Sequence, residues 1–414
     1  MSNKNVRLDE YYRSFKNGEY SDFKAEQASL ENESKWMDGV TTKNLSLSPL
    51  ASPMDALSIS NTPGNTIPHE VLDDTSRNAG LILNDPFGNQ YCLRDCSIPS
   101  LQNTLRLRGE VLAEMEKFDL ADEFNRAFKY ARNASRILIR GGKASAFLSM
   151  QYEYMPGTEL LNICDGLQKH FGPATFVGGT ICHSMTVAEW EFPAAAARIT
   201  QAYNTALTAA KKNPATTPIV PVVQYRASDT SNAAAMLLTY LKLGPGQLLP
   251  LGGVYVNHVP PREFHNDGTR YTCIEKFREE AEMLFSKLEY DVSDLVPKML
   301  ATKISYPGNC FLGVAKYAGI PQKWGGRIEQ DLRQDYPDGS DCTFLDIYEY
   351  LTQATALAIQ DGFEPQSARV LDLEEGICKI ARNRASWKRF DLPGTVAWSA
   401  PTLRSNSNFL PQSA

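Results

Sequence analysis

The sequence predicts a mixed α+β fold. An N-terminal half of antiparallel hairpins and helices precedes a mostly helical C-terminal half, and a disordered tail stands in front of both. Three observations predict it. Residues 1–78 are acidic and rich in Ser, Pro and Asn, as in SLSPLASPMDALSISNTPGNTIP, with no sustained periodicity. Between residues 79 and 265, short alternating apolar runs are broken by Gly, Pro and Asn turn signals. From 266 to 403 the apolar spacing becomes helical and strand signal is sparse, and this part is expected to pack with 79–265 as one globular unit. Residues 404–414 read as a loose end.

In the tail, the apolar islands Tyr11, Tyr12, Phe15 and Trp36 suit either docking on a partner or ordinary solvation. Order is expected from Ala79, where Leu81–Leu83 and Tyr91–Leu93 flank the turn Asp85–Asn89 as a hairpin. Ser97 or Ser100 then caps a helix running through Leu101, Leu105, Leu112 and Met115, and Asp119 caps a second through Phe124, Ala127, Phe128 and Ala131. Arg136–Arg140, Gly141-Gly142 and Lys143–Ser149 form a hairpin whose two glycines supply the positive φ of its turn. Thr158 caps a helix that stops at Gly172 with Lys169 and His170 in its last turn. Thr175–Phe192 is strand-like, Pro193–Lys212 helical, and Ile219–Ala227 and Gly253–His258 strands, while Asn232–Leu243 fits a helix or a buried strand equally. Helices follow over Arg270–Tyr290, Val292–Ile304, Asn309–Ala318, Cys342–Gln360 and Gln366–Asn383.

Composition excludes several classes. No apolar run is long enough to span a bilayer, so no membrane role is expected. The polar N-terminus lacks a secretory pattern, which points to a cytoplasmic protein. The eight cysteines read as buried thiols rather than a disulfide framework, and Cys92-x-x-x-Cys96 has no second pair to complete a metal site. The net charge of −6 sits mainly in residues 1–75, with seven Lys/Arg against twelve Asp/Glu. The rest is nearly balanced, so any basic patch there is local.

No cofactor motif is present: Gly141-Gly142-Lys143 lies in a hairpin rather than before a helix, and GxSxG and HExxH are absent. His183, His258 and His265 do not form a ligand pattern, although His258, His265 and Cys273 lie within reach of one another in sequence. Two basic segments stand out. Arg126, Lys129, Arg132 and Arg136 recur at helical spacing, and Arg140 and Lys143 flank the glycine turn. This row suits a nucleic-acid backbone, and equally the solvated face of an amphipathic helix. In the second, Lys379, Arg382, Arg384, Lys388 and Arg389 interleave with Trp387 and Phe390. Cations beside aromatics suit single-stranded nucleic acid; a basic helix end with Trp387 in the core is the alternative.

The order of segments resembles a family of phage- and plasmid-encoded proteins built on a domain of unknown function. The resemblance covers roughly residues 79–385. It is carried by YCLRDCSIPSLQNTLRLR, GKASAFLSMQYEYMPGTELLNIC, VVQYRASDTSNAAAMLLTYL, VNHVPPREFHNDG and TFLDIYEYLTQATALAIQDG. It implies a mobile-element origin and transfers no catalytic residues. With the two basic segments, the expectation is a non-enzymatic DNA-transaction protein that binds single-stranded DNA, promotes annealing or recombination, and forms a homo-oligomer. A viral assembly protein and an enzyme using His183, His258 or His265 are the alternatives.

Overall fold

Strand pairing is antiparallel along the two hairpins that the sequence predicts, Leu81–Leu83 with Tyr91–Leu93 and Arg136–Arg140 with Lys143–Ser149. The computed structural model describes residues 12–50, 80–107, 111–112, 115–230, 233–244, 247–363 and 366–394. Two compact units emerge. Met1–Ala202, Ala215–Leu243 and Leu251–Asp291 form the first; Tyr203–Pro214, Gly244–Pro250 and Val292–Ala414 form the second. The sheet-bearing and helical parts therefore divide at Asp291, not at 265, and the second unit draws in two short stretches of the sheet-rich region.

The first unit contains a six-stranded sheet and two three-stranded ones. The large sheet runs in the order β1 (Tyr12–Lys16), β8 (Thr175–Cys182), β9 (Thr186–Glu191), β10 (Val220–Ala227), β11 (Ala235–Gly244), β12 (Gln247–Val256). The ambiguous 232–243 segment is thus a buried strand. A second sheet joins β2 (Ser34–Thr41) to β6 (Ala134–Arg140) and β7 (Lys143–Ser149), and a third joins β3 (Ser46–Pro49), β4 (Leu81–Asn84) and β5 (Gln90–Cys92). Arg140 faces Lys143 across the β6–β7 turn, and Gly141 and Gly142 take φ of 55° and 74°. Positive φ at both central residues matches the twist of the flanking strands, as the glycine pair predicts.

The expected disordered tail is corrected for residues 12–50. They supply β1, β2, β3 and the helix Tyr20–Asn32. Phe23 is fully buried, with its ring 5.4 Å from Phe15 and 5.6 Å from Phe176. The helix buries Phe23, Gln27 and Leu30, a stripe whose middle member is polar. Gln27 accepts a hydrogen bond from Thr186 in β9 at 2.7 Å, so its burial is satisfied. One amide in a three-residue stripe is enough to hide the helical period from a reading of apolar spacing. Phe15 and Trp36 therefore dock on their own protein; the parts of the expected tail over 1–11, with Tyr11, and 51–78, and the loose end at 404–414, lie outside the described residues.

The helix Lys117–Tyr130 buries Leu120, Ala121, Phe124 and Phe128 against Leu47, Leu83, Ile137 and Phe147. Asn125 on its flank bonds both the backbone N–H and the carbonyl of Leu47, at 2.7 and 2.8 Å, tying it to β3. The preceding helix is shorter than expected. It spans Ser97–Leu105 and ends with Arg106 in the left-handed region, at φ 57°. Ser97 sits inside it, and its hydroxyl donates to the Arg94 carbonyl instead of capping.

The second unit is helical: Pro307–Tyr317, Gln322–Asp335, Phe344–Gln360, Ala368–Arg382 and Arg384–Trp387. Gln322–Asp335 escapes a reading of the sequence because its buried stripe, Trp324, Ile328 and Leu332, is sparse and interrupted by Gly325-Gly326. Gly376 lets Ala368–Arg382 pass so close to its neighbour that a Cβ there would lie 2.0 Å from the Ala318 carbonyl oxygen. At the start of Phe344–Gln360, Thr343 and Asp346 form a capping box, and Lys212 bonds both Asp346 oxygens at 2.5 Å. One turn on, Glu349 accepts a hydrogen bond from Tyr203 at 3.0 Å.

Burial raises the Glu349 carboxyl from 4.5 to about 7, against the Tyr203 hydrogen bond and with help from the Asp346 charge. The folded chain therefore keeps this proton while the unfolded chain loses it, so stability is full below about pH 4.5 and falls as pH rises toward 7. Glu349→Gln is expected to remove that part of the slope, gaining on the wild type by about 3 kcal/mol at pH 8 relative to pH 4. Urea unfolding of both proteins at the two pH values measures the difference.

Candidate nucleic-acid interface

The first basic row does not form. Lys117–Tyr130 ends at Ala131, whose backbone is extended, so the spacing of 126, 129, 132 and 136 no longer defines one face. Arg126, Lys129 and Arg132 are exposed, and Arg126 lies 3.8 Å from Glu123. Arg140 and Lys143 turn inward and are 1% and 7% exposed. The Arg140 guanidinium donates to Ser34 Oγ at 2.9 Å, to the His183 carbonyl at 3.1 Å, and to Asp229. A guanidinium held this way is unable to reach a phosphate.

The second segment divides as well. Arg382, Arg384, Lys388 and Arg389 are exposed, with Arg384 bonded to Asp294 at 2.8 Å. Trp387 is 3% exposed, stacks on Phe344 at 4.9 Å and donates its indole N–H to the Ile380 carbonyl at 2.8 Å. It is a core residue with no face left for a base, and its role as a stacking platform is withdrawn.

Arg136 is the candidate that reaches a concave surface. It lines a cleft of about 710 Å³ in the first unit, together with Tyr152, Tyr154, Val259, Arg262 and Arg270. The floor follows from β7 and the segment after it. Tyr152 lies parallel to His258 at 4.5 Å, and Trp36 packs 5.2 Å from Tyr154. Arg136 sits 5.7 Å over the Trp36 ring, donates to the Tyr152 carbonyl at 2.8 Å, and pairs with Asp38 at 2.6 Å. Arg262 is exposed and makes no hydrogen bond or ion pair with the described residues. Arg270 donates to the carbonyls of Pro261 and Pro260 at 2.7 and 2.6 Å, which fixes its direction, and it forms no ion pair among the described residues. Of the three arginines on the cleft one is paired, with Asp38, and Glu153 is the one carboxylate among the lining residues.

Sequence spacing hides this cleft because its arginines come from β6 and from the segment after β12, brought together only by the fold. The local signal was the run Pro260-Pro261-Arg262, which carries a cation on a stiff turn.

The histidines take structural positions. His183 is buried, and burial with the charges of Arg94, Arg140 and Lys143 holds its pKa well below the ordinary value. Burial also lowers His258, whose Nδ1 lies 3.1 Å from the Glu153 carbonyl. His265 stacks on Tyr271 at 3.9 Å and lies 3.4 Å from Glu275. Among the described residues no three His, Cys, Asp or Glu side chains are placed to hold a metal ion, and no helix is long and apolar enough to cross a membrane. The eight cysteines are free thiols and all but Cys182 are buried.

Removing the Arg140 side chain leaves Asp229, 17% exposed, without its ion-pair partner. Arg140→Ala is expected to destabilise the protein by about 3 kcal/mol, far above a surface arginine such as Arg126→Ala at well under about 1 kcal/mol. Chemical denaturation of the two variants side by side checks the contrast.

Comparison with protein-family models, curated proteins and solved structures finds no match for this chain, so its function has to be read from the chemistry of the cleft.

Proposed function

We propose that this protein binds single-stranded nucleic acid in the cleft formed by Arg136, Arg262 and Arg270, acting in DNA transactions of the phage and plasmid type. The observation that carries the reading is a cationic surplus, three arginines lining the cleft against one lining carboxylate, Glu153. Arg262 and Arg270 form no ion pair among the described residues, and the half-buried Tyr154 lines the same cleft, whereas Tyr152 is sealed against His258 and Trp36. Phosphates are drawn to uncompensated guanidinium groups, and unpaired bases to aromatic surface. The overall charge of −6 opposes non-specific adhesion, so binding concentrates where the local charge is positive. Holding a strand by its backbone leaves base edges available for pairing, which is what annealing requires. The exposed cations Arg126, Lys129 and Arg132, and those at Arg382, Arg384, Lys388 and Arg389, belong to other surfaces and contribute only diffuse attraction.

Fluorescence anisotropy with a labelled oligonucleotide at about 50 and 200 mM salt tests the reading; affinity should fall steeply with salt. Arg262→Glu disturbs no internal hydrogen bond or ion pair of the described chain and is expected to weaken binding about tenfold. Replacing both Arg262 and Arg270 should reduce the slope of log K against log salt by about 1.4, two single-strand phosphate contacts. No binding at about 50 mM salt by the wild type rules the reading out.

A further inference from the structure

The segment after β12 forms a small antiparallel finger. Tyr271 N–H donates to the Glu263 carbonyl at 3.1 Å, and His265 N–H to the Thr269 carbonyl at 2.7 Å, so Phe264 faces Arg270. The tip is closed locally. Gly268, at φ 83°, donates to the His265 carbonyl at 2.9 Å, and Asp267 Oδ1 accepts from the Thr269 N–H and hydroxyl at 2.9 and 2.7 Å.

This register gives the finger two faces. His265 and Tyr271 share one, stacked at 3.9 Å, with His265 beside Glu275 at 3.4 Å. Phe264 and Arg270 share the other, and Arg270 lines the cleft. The base of the finger is held by the two bonds from Arg270 to Pro261 and Pro260, and by Lys276 at 3.4 Å from Glu263. On this braced support Phe264 stands 64% exposed, and Val259 at its base is 50% exposed. A large aromatic ring kept in water on a rigid turn has its unfavourable hydration unrelieved until something flat covers it.

We infer that Phe264 is a base-stacking residue, and that the finger makes the cleft selective for unpaired bases over duplex. This deepens the proposed function and rests on it. Arg262 and Arg270, exposed and without ion pairs on either side of Phe264 in sequence, outnumber the finger's one carboxylate without a cation, Asp267, and point to an occupant that is a polyanion carrying planar groups. In a duplex the base faces are already stacked, so only an unpaired base offers a face to the ring. Arg270 stands across the finger from Phe264, placed to meet the phosphate next to a stacked base.

The test uses the full chain and three labelled probes: an oligo-dA strand, a strand of equal length made of abasic sugars, and the duplex of the first strand with its complement. The wild type should bind oligo-dA more tightly than either of the others. Phe264→Ala should weaken oligo-dA binding about tenfold and leave the abasic strand unchanged. Phe264→Trp should restore affinity, with indole fluorescence quenched as oligo-dA is added. If Phe264→Ala binds oligo-dA like the wild type while Arg262→Glu does not, the stacking role is overturned and the cleft reading stands. If the wild type binds none of the probes, both fall. Equal loss on the abasic strand shows that the substitution acts through the fold of the finger, which also overturns the inference.

Discussion

The Arg140 guanidinium is shared by three segments far apart in the chain: Ser34 at the start of β2, His183 in the β8–β9 turn, and Asp229 after β10. It thereby joins the small hairpin sheet to the end of the large one inside the first unit. A buried cation with a single carboxylate is a poor source of net stability, since its desolvation nearly offsets its pairing. Its effect is geometric. With Arg140 engaged, the β6–β7 hairpin has one orientation, and Arg136, four residues earlier on β6, is held beside Trp36 and Tyr152. The cleft thus depends on a charge that does not line it.

Much of the α+β architecture is legible in residue pattern alone. The glycine turn at 141 and 142, the Asp85–Asn89 hairpin and the helix stop at Gly172 follow from local backbone preferences, which tertiary contacts leave intact. Pattern fails where burial is satisfied by a polar group. Gln27 occupies a core position in Tyr20–Asn32 because Thr186 donates to it, and no reading of apolar spacing anticipates that partner. It also fails where a helix ends early. Arg132 and Arg136 share a face with Arg126 only if the helix continues past Tyr130, and the strand propensity of Ile137, Leu138 and Ile139 ends it.

Two tryptophans beside cations in sequence, Lys35-Trp36 and Trp387-Lys388, show why composition underdetermines a binding site. Trp387 sits among exposed cations yet is sealed against Phe344, with its N–H satisfied by Ile380. Trp36, in a segment that reads as a solvated tail, packs between Tyr152 and Tyr154 under Arg136. Both runs contain a cation beside an aromatic ring. What separates them is whether the backbone turns the ring toward a helix core or toward a sheet face that borders a cleft, and that is decided by long-range pairing.

The position of β1 bears on how the chain acquires its structure. Tyr12 lies opposite Cys182, and Lys16 opposite Gly178, so β1 completes its ladder only with residues made much later. The pairing of Ser34 with Arg140 carries the same delay. On the ribosome, the N-terminal strand and the helix behind it therefore wait with Phe15 and Phe23 uncovered until the β8–β9 hairpin emerges. Such high contact order makes assembly of the first unit slow, and leaves β1 and the helix behind it exposed to aggregation and to chaperones until their partners are made.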